Sequence, residues 1–244
     1  MHRSEQIRIT IAALLLAALA GGAKAEEGMG GMGKAETHAY LGLDRLEYQF
    51  RDGDNAALWD LQAWAGGDIQ KAWIKAEGEW IDGEGVENSQ LQALYSRAIA
   101  AFWDLQMGLR HDFSPNPSKT YAVFGVQGLA PYRFHIDAAG FLSEDGDFST
   151  RIEAEYDLRI TQRWILQPRG ELDAAFGDVP ELGIGSGFTT LEAGLRLRYE
   201  IRPEFAPYLG VEYQRLFGDT ADFARLEGRD SSGWSAILGL RAWF

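Results

Sequence analysis

Cysteine is absent from this chain of 244 residues, which excludes disulfide bonds and thiolate metal sites. No apolar run reaches the roughly 20 residues that a membrane-spanning helix needs. Basic residues are scarce as well, because 23 Lys and Arg stand against 36 Asp and Glu and give a formal net charge of -13. Such an acidic chain is a poor partner for nucleic acid and is better suited to attracting cations.

The first 25 residues match the pattern of a secretory leader. Arg3 and Arg8 form a basic start, an apolar run covers residues 9–20, and an Ala-Lys-Ala cleavage motif ends at Ala25. We therefore predict that residues 1–25 are a signal peptide. Its removal changes the formal charge from -13 to -15, because three basic residues and one acidic residue are lost.

Residues 26–39 are rich in Gly, lack a hydrophobic period and predict a flexible periplasmic tail. Apolar and polar residues then alternate in strand-length segments to the end of the chain. Since successive strand side chains point to opposite faces, each segment has one apolar and one polar face. The clearest case runs from Ile152 to Ile160, where every second residue is charged. The last segment, Trp234–Phe244, is about as long as a tilted membrane strand of roughly 9–11 residues.

Twelve such segments occur, and an even number with both chain ends on one side is what a closed up-and-down barrel requires. We therefore predict an all-β fold, a single 12-stranded antiparallel up-and-down transmembrane β-barrel over residues 40–244. A soluble lipocalin-like or sandwich fold is the alternative, and it would hold the apolar rows inside. Aromatics on the apolar rows favour the membrane barrel because they fall at strand ends, as interfacial girdles do: Trp59, Trp80 and Trp234 at one end, and Trp103, Trp164, Tyr199 and Phe244 at the other.

The links between segments alternate between short and longer ones, as periplasmic turns and external loops do. The longer set carries 15 acidic residues against 4 basic ones, which predicts a negative outer mouth. The short links lie near residues 66–68, 129–131, 161–163 and 201–204, and the longer ones near 51–56, 82–87, 112–119, 143–149, 176–188 and 217–232.

The polar face of the first three segments is charged throughout, and in a closed barrel this face points inward. Twelve strands fall between eight-stranded barrels, which side chains nearly fill, and open porins of 16–18 strands. We therefore expect a narrow, gated or plugged path. The alternative is that the charges are only an ion-paired filling.

One histidine lies on the predicted inward row. His135 alternates with Asp137, and tight pairing across the following loop would bring His135 near Asp157 and Asp137 near Glu155. Imidazole beside carboxylates can hold a divalent first-row metal. A hydrogen-bonded interior histidine without a ligand role is the alternative.

Two further residue sets could bind a metal or carry catalysis. Met29, Met32 and His38 in the tail form a sparse thioether and imidazole set suited to Cu(I), unless the tail is a plain linker. His111 and Ser114 would be the histidine and serine of an outer-membrane phospholipase, but the string HDFSPN does not match the His-x-Ser-Asn-Gly arrangement of those enzymes. We therefore expect no enzymatic activity.

Eight strings are distributed from about residue 40 to the end of the chain: DRLEYQFRDGDN (44–55), QALYSRAIAAFWDLQMGLRHDF (92–113), TYAVFGVQGLAPY (120–132), SEDGD (143–147), EAEYDLRITQRWILQPR (153–169), GIGSG (183–187), LRYEIRPEFAPY (197–208) and FGDTADFAR (217–225). Together these strings closely resemble the copper resistance protein B family of Gram-negative outer membranes.

The resemblance implies an outer-membrane barrel that binds copper or assists its efflux, in company with a periplasmic multicopper oxidase. Copper would be bound or transported and not used as a redox cofactor. Family members often carry a long Met- and His-rich region before the barrel, and here only GMGGMG and His38 remain. This departure shifts the expected copper handling to the barrel itself. A general small-solute or cation diffusion channel without copper specificity is the alternative function.

Overall fold

The computed structural model describes residues 37–244. The predicted signal peptide, residues 1–25, lies outside the described residues, and so does most of the predicted tail. His38 and Ala39, the last two residues assigned to the tail, belong to the first strand. Among the described residues, no helix has both the length and the apolar character needed to cross a membrane.

Thirteen β segments form one antiparallel sheet in which almost every segment pairs with its neighbours along the chain. The segments are β1 (His38–Arg51), β2 (Ala56–Gly66), β3 (Gln70–Ile81), β4 (Gly85–Ala100), β5 (Trp103–Ser114), β6 (Lys119–Ala130), β7 (Phe134–Ser143), β8 (Phe148–Tyr156), β9 (Leu158–Arg159), β10 (Trp164–Ala175), β11 (Gly187–Tyr199), β12 (Phe205–Leu216) and β13 (Ser232–Trp243).

The sheet closes into a barrel of twelve strands. β8 and β9 both pair with β10 and are separated only by Asp157, so they form one barrel strand with a local break. β13 pairs with β1 and β10 pairs with β11, which closes the ring. The predicted single 12-stranded antiparallel barrel is confirmed, and closure leaves no unpaired sheet edge.

The apolar rows face outward and the charged rows face inward, as predicted. Ile152 and Leu195 expose 50% and 41% of their surface, whereas Arg196, the next residue, exposes only 2%. Alternation with a period of two residues places neighbours on opposite faces, so this single comparison orients the whole strand. A soluble fold with its apolar rows packed inside has the opposite arrangement.

The links differ less in length than the sequence suggests. On the side of the chain termini, the turns hold two to five residues. On the opposite side four links are equally short, because the strands run further than expected, and only residues 176–186 and 217–231 form long loops. The difference between the two ends of the barrel therefore resides in two loops.

The loop after β12 contains a helix that was not predicted, α1 (Gly218–Leu226). Its Ala221 and Ala224 are buried, at the spacing of one helical turn. The hydroxyl of Thr220 in α1 accepts a 2.9 Å hydrogen bond from the amide of Gly185, in the other long loop. A side chain at position 185 would come within 2.7 Å of the Thr220 nitrogen, so glycine permits the contact. The two long loops therefore pack against each other.

The interior is not uniformly charged, and the expectation of a row charged throughout in the first three strands is wrong at Trp73. This residue packs with Leu94, Val123 and Phe141 in a cluster that is less than 9% exposed. The cluster spans the inner face of β3 to β7, and we call it the apolar wall. The inner face of β8 to β13 and β1 instead carries most of the buried charged side chains, and we call it the ionic wall.

Candidate functional site

A cavity of about 340 Å³ lies in the half of the barrel nearest the chain termini. We call it the vestibule. Its lining includes Tyr40, Trp73, His135, Asp157 and Arg241, which come from five different strands or strand ends. The cavity is therefore enclosed by the barrel wall as a whole and depends on ring closure.

The four barrel residues predicted as metal ligands, His135, Asp137, Glu155 and Asp157, all line the vestibule. Their pairing differs from the prediction by two residues, because His135 lies opposite Glu155, and Asp137 lies opposite Glu153. A shift of two residues leaves every side chain on the same face. The predicted set thus shares one cavity, although its expected pairs are wrong.

The physical reason for the shift is the turn between β7 and β8. The Ser143 hydroxyl accepts hydrogen bonds from the amides of Asp145 (3.2 Å) and Asp147 (2.9 Å), and the Ser143 amide donates to the Asp147 carbonyl. This side-chain cap centres the hairpin on Asp145, one position earlier than assumed. Local capping by serine is visible in the sequence but competes with other turn registers.

Each carboxylate of the set has a partner. Lys75 Nζ lies 2.7 Å from Asp137, Arg198 Nη2 lies 2.7 Å from Asp157, and Gln167 donates to Glu155 at 3.0 Å. Within residues 37–244, no group of three or more His, Asp or Glu side chains is placed to hold a metal ion. The vestibule therefore offers nitrogen and oxygen donors without a preformed chelate.

The predicted tail ligands lie mostly beyond the described part of the chain. Met29 and Met32 are outside the described residues. His38 begins β1, lies opposite Gly66 in β2 and is exposed at the terminal rim of the barrel. The tail set thus stays a prediction.

An aromatic group on the vestibule wall was missed from the sequence. Tyr40 stacks on Trp64 at a centroid distance of 6.1 Å, and Trp64 lies 6.0 Å from Trp73. Lys71 and Lys75 place their ammonium groups 5.5 Å and 5.9 Å from the Trp64 and Trp73 ring centroids, within cation–π range. The available signal was Trp73 itself, which interrupts a run of charged residues on the inward row of β3.

Beyond the vestibule, Arg169 organises the ionic wall. Its side chain is 1% exposed and lies 2.6 Å from Glu153, 3.6 Å from Glu155 and 3.4 Å from Glu192. It also contacts Glu171. Four carboxylates thus surround one guanidinium, and buried charges of this kind are tolerated only when they are paired.

Arg196 and Arg151 repeat this arrangement nearby. Arg196 is 2% exposed and contacts Glu47 and Glu212, each at 2.7 Å, which links β11 to β1 and β12. Arg151 contacts three carboxylates from two strands at distances of 3.0 to 3.2 Å, which are Glu77, Glu171 and Asp173. The mid-barrel interior is therefore crossed by ion pairs.

At the barrel end opposite the chain termini, three acidic loop residues converge on one basic residue. Lys119 lies 3.1 Å from Asp145, 3.4 Å from Asp147 and 2.6 Å from Glu181. The last of these contacts ties the start of β6 to the long loop 176–186. The carboxylates of the mouth are thus partly neutralised by one buried ammonium group.

His111 and Ser114 form hydrogen bonds with other groups. The His111 Nδ1 atom lies 3.0 Å from the Thr120 hydroxyl. The Ser114 hydroxyl donates to the carbonyl oxygens of Val86 and Glu87 at 3.0 and 2.9 Å. A serine hydroxyl engaged with two backbone carbonyls is not oriented toward a histidine base.

Solved structures with a similar fold include porins. The chain superimposes on a structure described as the NanC porin with a TM-score of 0.56 and 17% identity, over 83% of this chain and 98% of that one. For the KdgM porin the TM-score is 0.51 and the identity 9%, over 84% and 99% of the two chains. At these identities the likeness concerns the fold alone.

Relatives by sequence are more informative. The chain is 43% identical over 207 residues to the copper resistance protein B homolog of Pseudomonas syringae pv. tomato, covering 85% of this chain and 70% of that protein. It is 44% identical over 202 residues to the copper resistance protein B of Escherichia coli, covering 83% and 68%. The family described as Copper resistance protein B precursor matches residues 37–244. The chain therefore belongs to the copper resistance protein B family.

Proposed function

We propose that this barrel resides in the outer membrane of a Gram-negative bacterium and confers copper resistance by binding copper in its interior or assisting copper efflux. The observation that carries the proposal is that His135, Asp137, Glu155 and Asp157 line one cavity inside a barrel of this family. The role is not enzymatic. Copper is the cargo, and its redox chemistry belongs to a separate protein.

The outer surface supports membrane residence. Leu109, Phe124 and Leu209 each expose more than half of their surface, and they come from three different strands. A continuous apolar belt of this kind would cause aggregation in water but is stable against outer-membrane lipid. The lipid is therefore the structural partner of the outward rows.

The chemistry of the vestibule supports transient copper binding. The imidazole of His135 and the nearby carboxylates are ligands that suit divalent first-row metals. Because Asp137 and Asp157 already hold Lys75 and Arg198 at 2.7 Å, an entering cation would have to displace a resident ammonium or guanidinium group. Such competition favours reversible exchange of copper over tight, lasting binding.

The position of the vestibule supports delivery from the periplasm. In barrels of this class the chain termini and short turns lie on the periplasmic side. The vestibule lies at that end, so copper would enter from the compartment where we place a multicopper oxidase partner. In this arrangement Met29, Met32 and His38 would pass copper into the vestibule.

Copper release from proteoliposomes tests the proposal. Wild-type protein should release loaded copper faster than His135→Ala and faster than a variant lacking residues 26–36. His111→Ala is the matched control, because His111 bonds to Thr120 away from the vestibule. The proposal fails if gene deletion leaves copper tolerance unchanged and the purified barrel binds no more copper than a generic porin.

A general diffusion channel is the second candidate, favoured by the mixed charges that line the vestibule. It predicts ion conductance in planar bilayers that responds neither to copper nor to His135→Ala. If the conductance depends on copper and this dependence is lost in His135→Ala, the copper-specific role is supported over the general channel.

A further inference from the structure

An ion pair inside the barrel joins β3, a strand of the apolar wall, to β8, a strand of the ionic wall. Arg151 on β8 places its Nη1 atom 3.2 Å from the Glu77 carboxylate on β3. In the closed sheet, β4 to β7 lie between these two strands, so the contact crosses the interior and is not a neighbouring-strand pair.

Arg151 is anchored at its own side of the barrel. Its Nε atom lies 3.0 Å from Glu171 and 3.0 Å from Asp173, both on β10, which pairs with β8. Glu77 is held in turn by a hydrogen bond from the amide group of Gln90 on β4. Both ends of the crossing are therefore fixed in place by their own walls.

The crossing lies where the interior narrows. A second cavity of about 50 Å³ adjoins the vestibule, and Arg151 lines only this smaller cavity, whereas Glu77 lines both. Lys75 on β3 makes a parallel crossing to Asp137 on β7 at 2.7 Å. The residues shared by the two cavities are Arg45, Asp60, Lys75, Glu77, Asp137 and Glu153.

We propose that Arg151 and Glu77 form a charge latch that closes the interior between the vestibule and the outer mouth. The Arg151–Glu77 pair occupies the narrow space that a cation from the vestibule would have to cross. When the Arg151–Glu77 contact opens, the Glu77 carboxylate faces the path and attracts cations, whereas Glu171 and Asp173 keep their contacts with Arg151. Arg151 thereby determines both closure and ion selectivity. The inference rests on the proposed function only in taking the interior as the route of a cation.

Planar-bilayer conductance tests the latch. Arg151→Gln removes the guanidinium and retains the three carboxylates. We expect its single-channel conductance in KCl to exceed that of wild type about tenfold, which corresponds to lowering the barrier by roughly 1.4 kcal/mol. Its reversal potential in a salt gradient should shift toward cation selectivity.

Two carboxamide variants distinguish loss of the contact across the interior from loss of any one carboxylate charge near Arg151. Glu77→Gln and Asp173→Asn each take one carboxylate from Arg151, but only Glu77 lies across the interior. We expect Glu77→Gln to raise conductance severalfold and Asp173→Asn to leave it unchanged. Arg225→Gln removes an exposed guanidinium that pairs with Asp222 in α1, so it should behave as wild type.

Folding of each variant is checked by the heat-dependent electrophoretic mobility of barrels. If Arg151→Gln does not fold, Glu77→Gln against Asp173→Asn decides, because both keep Arg151 paired. A wild-type conductance as high as that of an open porin would overturn the proposed latch. Equal conductance of the wild type and Glu77→Gln would overturn it too. Equal gains in Glu77→Gln and Asp173→Asn overturn it as well.

Failure of the latch is distinguishable from failure of the copper role. Unchanged conductance in these variants, with copper tolerance still dependent on the gene, removes the latch alone. Raised conductance in Glu77→Gln, with copper tolerance unaffected by gene deletion, retains the latch and removes the copper role.

Discussion

The two inner walls fill the barrel interior with opposite kinds of side chain. The apolar wall fills its share of the interior with Trp73, Leu94, Val123 and Phe141, as a small soluble core does. The ionic wall fills its share with buried arginines and the carboxylates that surround them. Both walls exclude space, but the ionic wall carries most of the buried charged side chains.

The difference shows what each wall contributes. Gly108 on β5 lies opposite Leu94 and opposite Val123 in the two strand pairings, and a side chain there would come 2.0 Å from the Ala93 carbonyl oxygen. The strands of the apolar wall therefore pack closely at this position. In the ionic wall, Glu171 is shared by Arg151 and Arg169, so a change at one ion pair affects its neighbour.

The largest expected effect falls on the ionic wall. Arg169→Ala leaves four carboxylates around an empty position, and breaking a buried ion-pair network by removing one partner costs about 3–5 kcal/mol of unfolding free energy. Urea unfolding in lipid vesicles measures the loss. Arg225→Ala, an exposed pair on α1, is the control and should change stability by less than about 0.5 kcal/mol. Equal stability of the two variants would contradict the paired interior.

A charge on the outer surface should have the next largest effect. Leu209 is 63% exposed on the outward row of β12. Leu209→Lys should reduce the unfolding free energy in vesicles by about 2–4 kcal/mol, because a cation facing the bilayer midplane is costly. Leu209→Ala, which keeps the site apolar, separates the charge from lost packing. A Lys variant as stable as the Ala variant would place this row outside the hydrocarbon.

Truncation in the apolar wall should cost somewhat less. Leu94 is 5% exposed and packs between Trp73 and Val123. Leu94→Ala should lower the unfolding free energy by about 2–3 kcal/mol through lost transfer energy and a residual cavity. Leu94→Met retains the volume and should cost less than about 1.5 kcal/mol. If Leu94→Ala raised the ion conductance as much as Arg151→Gln, the distinction between the apolar wall and the ionic wall would be wrong.

The smallest expected effect on stability comes from the vestibule. His135→Ala should change the unfolding free energy by less than about 0.5 kcal/mol, as for an exposed position. Copper affinity, measured by titration calorimetry, should nonetheless fall about tenfold when a ligand of a loosely held metal is lost. His111→Ala should leave copper affinity unchanged. Equal losses in both histidine variants would move copper binding away from the vestibule.

Much of the fold was predictable because the deciding signal is local. Alternation placed Ile152 and Leu195 outward and Arg196 inward, and the structure confirms these positions. The even strand count and the final segment predicted closure, and β13 does pair with β1. Helix α1 was missed because its buried alanines form one short turn inside a polar loop.

The sequence predicted which residues form the candidate site but not which of them lie opposite one another in the sheet. His135 and Asp137 were assigned to the correct face, yet the hairpin capped by Ser143 shifted their partners by two residues. The contacts of Arg151 with Glu77 were beyond prediction, because these residues are far apart in the chain and their strands are not neighbours.

Alternation along the chain is enough to assign strand side chains to the outer or the inner face of the barrel, because a strand alternates its faces every two residues whatever lies around it. Which inward charges meet is fixed only when the barrel has closed. Those meetings depend on the stagger of twelve strands around a closed ring, and a shift of two residues at one turn changes the partner without changing the face.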